Sequence, residues 1–286
     1  MSAPSDSDPG SGPSAPDSVP PDAAAVVARP RRKGIYILPN AITLAALFCG
    51  FYGIVIAMNG RFEAACIAIF CAAVLDSLDG RVARMTHSQS AFGEQMDSLC
   101  DMVSFGAAPA LIVYVWALKD MGRLGWIPAF VYIAGAALRL ARFNVNIGVV
   151  DKRFFQGLPS PAAAALVIGL IWAMDDAGFK AASKIPWLAW VAFGVTLYAG
   201  FSMVTNAPFY SFKVVGNRKT VPFIVIAAIA LAIVLIAIEP APMLFGMFCA
   251  YAISGYVVYV WRRMKGRPTS VIAVSTDEPD EKGLHH

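Results

Sequence analysis

The sequence predicts an all-α fold, a polytopic transmembrane helical bundle of about eight helices with both termini cytoplasmic. Three observations predict it. Of 286 residues, 58% are hydrophobic and 15% charged, with a mean hydropathy of +0.61; an ordinary soluble domain carries about 25% charged residues. The apolar residues gather into blocks close to the length of helix that crosses a hydrocarbon core of roughly 30 Å. Lys and Arg, finally, are distributed unequally between alternate joins. This pattern excludes a disordered chain, a disulfide-built secreted scaffold and a domain with a dominant nucleic-acid-binding face. Cys49, Cys66, Cys71, Cys100 and Cys249 lie inside apolar blocks without CxxC or Cys/His spacing, so they read as small buried hydrophobes.

Residues 1–28 hold six Pro, six Ser, four Asp and no Lys or Arg. Such a segment cannot bury enough apolar surface to offset its ordering entropy, and it is expected to be disordered. It has neither the basic start nor the apolar core of a signal peptide. The basic cluster Arg29, Arg31, Arg32 and Lys33 completes a tail over 1–33, suited to contact with anionic lipids. Eight apolar blocks follow, at 39–58, 62–80, 92–118, 126–147, 160–174, 186–204, 221–238 and 242–261. Glycines and prolines punctuate the joins, among them Gly60, Gly122, Gly157, Pro186, Pro208 and Pro240. Unsatisfied backbone is costly in lipid and the blocks do not alternate as barrel strands do, so each is a helix. Residues 264–286 form a second polar tail.

Orientation follows from Lys and Arg alone. With the N-terminus inside, the inner segments hold 18 of these residues and the outer loops 5. The inner set includes Arg81, Arg84, Arg139, Arg142, Lys152, Arg153, Lys213, Arg218 and Lys219.

The chemistry is concentrated around the second and third blocks. Asp76 and Asp79 stand three apart near the end of one predicted helix, and Asp97 and Asp101 four apart near the start of the next. Each spacing places its pair on one helix face, and the short connection makes the helices antiparallel neighbours. One Asp at the centre of a membrane helix costs about 2.5–3.5 kcal/mol, and four crowded together also repel. Divalent cations relieve both penalties. Oxygen ligands without His or Cys fit Mg²⁺ or Mn²⁺ and not Zn²⁺. Four carboxylates suit two such ions, the arrangement that clamps a phosphoryl displacement. Gly80, Ala83 and Gly93 are small enough to let backbone and a nucleotide approach, and Arg84 is placed to hold a diphosphate. A purely structural set of capping or salt-bridged Asp residues, paired with Arg81 and Arg84, is the competing reading. A divalent-cation transporter is another, but it calls for an internal repeat that this chain does not display.

Asp76, Asp79, Gly80, Ala83, Arg84, Gly93, Asp97 and Asp101, at these spacings, match the signature of the CDP-alcohol phosphatidyltransferase family. The chain resembles that family over about residues 33–220, which makes 34–220 the expected catalytic helices and 221–263 two additional ones. The resemblance implies that all four Asp hold two Mg²⁺ or Mn²⁺ ions and that Asp101 is also the general base. It implies that Asp79, Gly80, Ala83 and Arg84 contact the CDP group, with Asn40, Thr43 and Gly93 completing the CDP-lipid site. Asn40 and Thr43 also read as a plain helix cap.

Further segments, around Asn40, Ser104, Arg139 to Asn144, Gly157 to Ser160 and Asn206, resemble the branch whose acceptor is L-serine. That likeness implies CDP-diacylglycerol and L-serine as substrates, with Arg139, Arg142, Asn144 and Ser160 at the acceptor. It also implies a homodimer in the inner (cytoplasmic) membrane, its site facing the cytoplasm among membrane lipids, with no nucleic-acid partner. Arg139 and Arg142 read equally as interfacial anchors, and 157–161 as a stiff start to a helix. Glycerol 3-phosphate, inositol and choline remain alternative acceptors.

Overall fold

In the computed structural model the described residues are 37–145, 154–180, 182–210 and 223–265. The chain divides into Met1–Lys33 and Gly34–His286. The expected N-terminal tail and its basic cluster lie outside the described residues, as do Lys152, Arg153, Lys213, Arg218, Lys219 and all but the start of the C-terminal tail.

Each of the eight apolar blocks is helical. The helices are α1 (Ile37–Met58), α2 (Phe62–Met85), α3 (Ala91–Leu124), α4 (Trp126–Val145), α5 (Ser160–Asp176), α6 (Pro186–Val204), α7 (Phe223–Ile238) and α8 (Pro240–Met264). Five of them, α1, α3, α4, α6 and α8, are long and apolar enough to cross a membrane. The other three fall short for physical reasons. At 1.5 Å per residue, the 17 residues of α5 and 16 of α7 span about 24–26 Å, a little under a typical hydrocarbon core. The 24 residues of α2 are long enough, but Glu63, Asp76, Asp79, Arg81 and Arg84 shorten their apolar stretch.

Helices α1 and α2 form an antiparallel hairpin closed at Gly60, whose φ of 75° is one that glycine adopts without strain. A five-residue turn joins α2 to α3, where Ser90 caps the helix by accepting from the Gly93 N–H at 3.1 Å. Helix α3 is not uniformly α: it widens to π over Met102–Ala107 and Tyr114–Leu118 and tightens to 3₁₀ over Lys119–Leu124. The loops before α5 and after α6 meet as a two-stranded antiparallel ribbon, β1 (Phe154–Gln156) and β2 (Pro208–Tyr210), with Phe155 opposite Phe209.

The core is organised around α5, which is buried along nearly its whole length. Its alanines let neighbours come close, and Ile168 and Ile171 pack with Trp116, Tyr132, Leu158 and Phe209. Helices α4 and α6 cross where Gly135 meets the Gly200 carbonyl, a point at which any Cβ would collide with backbone. Large apolar side chains face outward instead, among them Phe48, Phe51, Val74, Phe130, Trp190 and Val257. That inversion is what a lipid-facing surface requires.

Candidate active site

Asp76 and Asp79 occupy the last turns of α2, and Asp97 and Asp101 the first turns of α3. The first part of α3 packs chiefly against α1 rather than lying along α2, and the carboxylates of α2 and α3 face each other beside that contact. Asp76, Asp97 and Asp101 converge: each offers one carboxylate oxygen, and the three oxygens lie within 4.8 Å of one another. Asp76 and Asp101 face each other closely enough that two bare carboxylates would repel. An oxygen-only trio fits a hard divalent ion such as Mg²⁺ or Mn²⁺.

Asp79 stands apart from that trio. It is buried, at 5% exposed, and accepts a hydrogen bond of 2.6 Å from the Thr43 hydroxyl across the α1–α2 interface. Thr43 is anchored in turn beside the Pro39 carbonyl, 3.1 Å away. Among the described residues, neither Arg81 nor Arg84 forms an ion pair with any of the four carboxylates. The salt-bridged alternative for the quartet therefore lacks its partners.

The start of the π segment in α3 directly follows Asp101. The hydrogen-bonding groups there are taken up from outside the helix: Tyr132 of α4 donates to the Phe105 carbonyl at 2.9 Å, and Ser104 donates to the Ala46 carbonyl of α1 at 3.3 Å. Gly50 leaves the room that Ser104 fills. The widened turn is thus fixed between α1 and α4, and Asp101 with it.

Beside the carboxylates lies a cleft of about 180 Å³. Asn40, Thr43, Asp79, Gly80, Ala83, Arg84 and Gly93 all line it, so the seven residues assigned to a CDP-lipid from the sequence share one concave surface. Asp97 joins them at the wall. A Cβ at Gly93 would crowd Ser90 Oγ at 3.2 Å and touch Asn40 Oδ1 at 3.5 Å.

The four acceptor candidates do not form one group. Arg139 donates to Ser160 Oγ at 2.7 Å, and Asp101, Tyr132 and Tyr251 stand around its guanidinium. Arg142 is directed elsewhere, to Asn206 Oδ1 at 3.1 Å and the Val204 carbonyl at 3.0 Å. Gln156 also donates to Asn206 Oδ1, at 2.9 Å, so Arg142 ties the end of α6 to the ribbon. Asn144 faces α3, where its Oδ1 accepts from Ser98 Oγ at 3.2 Å. All of these residues nevertheless belong to the same end of the bundle as the carboxylates: the start of α1, α3 and α5 and the end of α2, α4 and α6.

Sequence reasoning passed over Ser88, Gln89, Ser90 and Glu94, which line the cleft, and Ser98. For Ser90 a signal existed, a serine directly before a helical run. The loop residues carried none beyond their position between the two Asp pairs. His87, at the left-handed φ of 52°, is exposed and is not part of the cleft wall.

Residues 36–199 match the CDP-alcohol phosphatidyltransferase family. The chain is 32% identical over 224 residues, 78% of its length and 92% of the relative's, to a protein of Helicobacter pylori named CDP-diacylglycerol–serine O-phosphatidyltransferase. A Mycobacterium leprae protein of the same name is 39% identical over 154 residues, covering 51% of each chain. An archaetidylserine synthase of Methanothermobacter thermautotrophicus is 38% identical over 132 residues, covering 46% of this chain and 55% of the relative.

Proposed function

Because this chain belongs to the CDP-alcohol phosphatidyltransferase family, we propose that it transfers the phosphatidyl group of CDP-diacylglycerol to the hydroxyl of L-serine, releasing CMP. It would then be a phosphatidylserine synthase. The observation that carries this reading is the convergence of Asp76, Asp97 and Asp101 beside a cleft walled by Asn40, Thr43, Asp79, Gly80, Ala83, Arg84 and Gly93. The names of the relatives support serine as the acceptor.

In this reading the four Asp hold two Mg²⁺ or Mn²⁺ ions, with Asp79 contributing from the cleft wall. When bound, those ions supply positive charge that offsets the diphosphate and the charge of the departing CMP. The chain's own groups do the rest. Arg84 holds the diphosphate by charge-assisted hydrogen bonds, and Gly80 and Gly93 let it approach the backbone. Arg139, steadied by Ser160, attracts the carboxylate of serine, and Asn144 completes the acceptor end, while Arg142 holds the end of α6 in place beside them. Asp101 takes the proton of the serine hydroxyl, worth about 10²–10⁴-fold for a well-placed base. The serine oxygen attacks the lipid-side phosphorus in line. A new P–O bond forms as the bond to the CMP oxygen breaks, in one displacement.

The same reading places all eight helices across the inner membrane with both termini and the site at its cytoplasmic face. The 18 to 5 division of Lys and Arg supports that orientation. A homodimer of catalytic helices 34–220, with 221–263 as additions, completes it. The test is CMP release from CDP-diacylglycerol by purified protein with L-serine, glycerol 3-phosphate, inositol or choline. The reading predicts release with serine. A clear rate with another alcohol and none with serine would overturn it.

A further inference from the structure

Ser98 lies between Asp97 and Asp101 on α3 and was assigned no part by its sequence position. Its hydroxyl donates to Asn144 Oδ1 at 3.2 Å, the side-chain hydrogen bond that links the acidic helix α3 to the arginine-bearing end of α4. Both residues are partly buried, so the bond is shielded from competing water, one residue along α3 from Asp97.

A carboxamide has one acceptor end and one donor end, and a hydrogen-bond partner decides which is which. With Oδ1 engaged by Ser98, the Asn144 amide keeps both N–H donors, and no described residue accepts from them. Two oriented donors at this end of the bundle suit an anionic oxygen. Arg142, by contrast, has both arms committed to Asn206 and Val204, which leaves Arg139 as the cation and Asn144 as the neutral donor at the acceptor end.

We propose that Ser98 is a positioning residue for acceptor selection: through its hydrogen bond it locks the Asn144 carboxamide with N–H outward, to receive the carboxylate of the acceptor amino acid. This rests on the proposed function and adds to it a means of preferring an acceptor that carries a carboxylate. Freed from Ser98, the amide can rotate by half a turn and present its oxygen, which repels the same carboxylate. One lost hydrogen bond to a charged group corresponds to about tenfold in affinity.

The test compares Ser98→Ala, Ser98→Thr and Asn144→Asp with the unaltered protein, using as acceptors L-serine and L-serinamide, in which an uncharged carboxamide replaces the carboxylate. The unaltered protein must first release CMP with L-serine; if it does not, the proposed function has failed, and the variants are not needed to show it. Given that rate, Ser98→Ala should raise the KM for L-serine about tenfold, with kcat and the KM for CDP-diacylglycerol within about twofold. Ser98→Thr keeps the hydroxyl and should restore the KM. Asn144→Asp keeps the acceptor for Ser98 but replaces the donors with charge, and should weaken L-serine more than L-serinamide. Equal losses with both acceptors, or a raised KM for CDP-diacylglycerol in Ser98→Ala, would overturn the proposal.

Discussion

The Thr43 hydroxyl donates to Asp79 Oδ2 at 2.6 Å, joining the first turns of α1 to the last turns of α2 through a buried hydrogen bond. The contact spans 36 residues of sequence and sets the wall of the cleft on which Asp79, Gly80 and Arg84 stand. A buried carboxylate that loses its donor bears an uncompensated desolvation cost. Thr43→Val, which keeps the shape and removes the hydroxyl, should therefore raise the KM for CDP-diacylglycerol about tenfold. Thr43→Ser should restore it. Initial-rate kinetics at saturating serine distinguish the two, and an unchanged KM in Thr43→Val would remove the bond from the binding site.

Asp101→Asn keeps an oxygen ligand of nearly the same shape but cannot take a proton. Turnover should fall by about 10²–10⁴-fold, while binding of CDP-diacylglycerol, followed by equilibrium titration, stays near its original strength. Loss of binding in proportion to turnover would make Asp101 a ligand alone.

Arg139 and Arg142 should separate in their effects. Arg139→Ala removes the cation beside Asp101 and Ser160 and should raise the KM for L-serine. Arg142→Ala removes two hydrogen bonds at the end of α6 and should lower the thermal transition in detergent, at a cost of about 1 kcal/mol that falls on the part-buried Val204 carbonyl, since Asn206 keeps its bond from Gln156. Kinetics and thermal unfolding on the same preparations decide it. A stable Arg142→Ala protein with a raised serine KM would move that side chain into the acceptor pocket.

Removal of divalent cations should stop CMP release. Mg²⁺ or Mn²⁺ should restore it and Zn²⁺ should do so poorly, because the converging donors are carboxylate oxygens alone. Full activity after exhaustive chelation would contradict a metal role for the trio.

The helices were legible because membrane burial writes itself into the chain as blocks of apolar length, and all eight blocks are helical. The carboxylate pairs were legible because spacings of three and four fix a face. That rule concerns one helix at a time, which explains where it stopped. Arg139 and Arg142 share a face by spacing, yet α5 receives the first and the end of α6 the second, a division set by which helices flank α4. Asp79 parts from Asp76 for a similar reason: Thr43 of α1 claims it. The π turns of α3 also left no trace in the apolar pattern, since what sustains them at Asp101 is Tyr132 and Ser104 bonding to carbonyls in and beyond that helix. The Ser98–Asn144 bond links positions 46 apart and becomes visible only once α3 and α4 are placed together.

The most direct test is diffraction from crystals grown with Mn²⁺ and CDP-diacylglycerol, with data collected at the manganese absorption edge. Anomalous density bounded by Asp76, Asp97 and Asp101, with the diphosphate against it and the cytidine in the cleft beside Asn40 and Gly93, is the predicted result. Density for the nucleotide elsewhere, or no manganese at the trio in crystals of active protein, would contradict it.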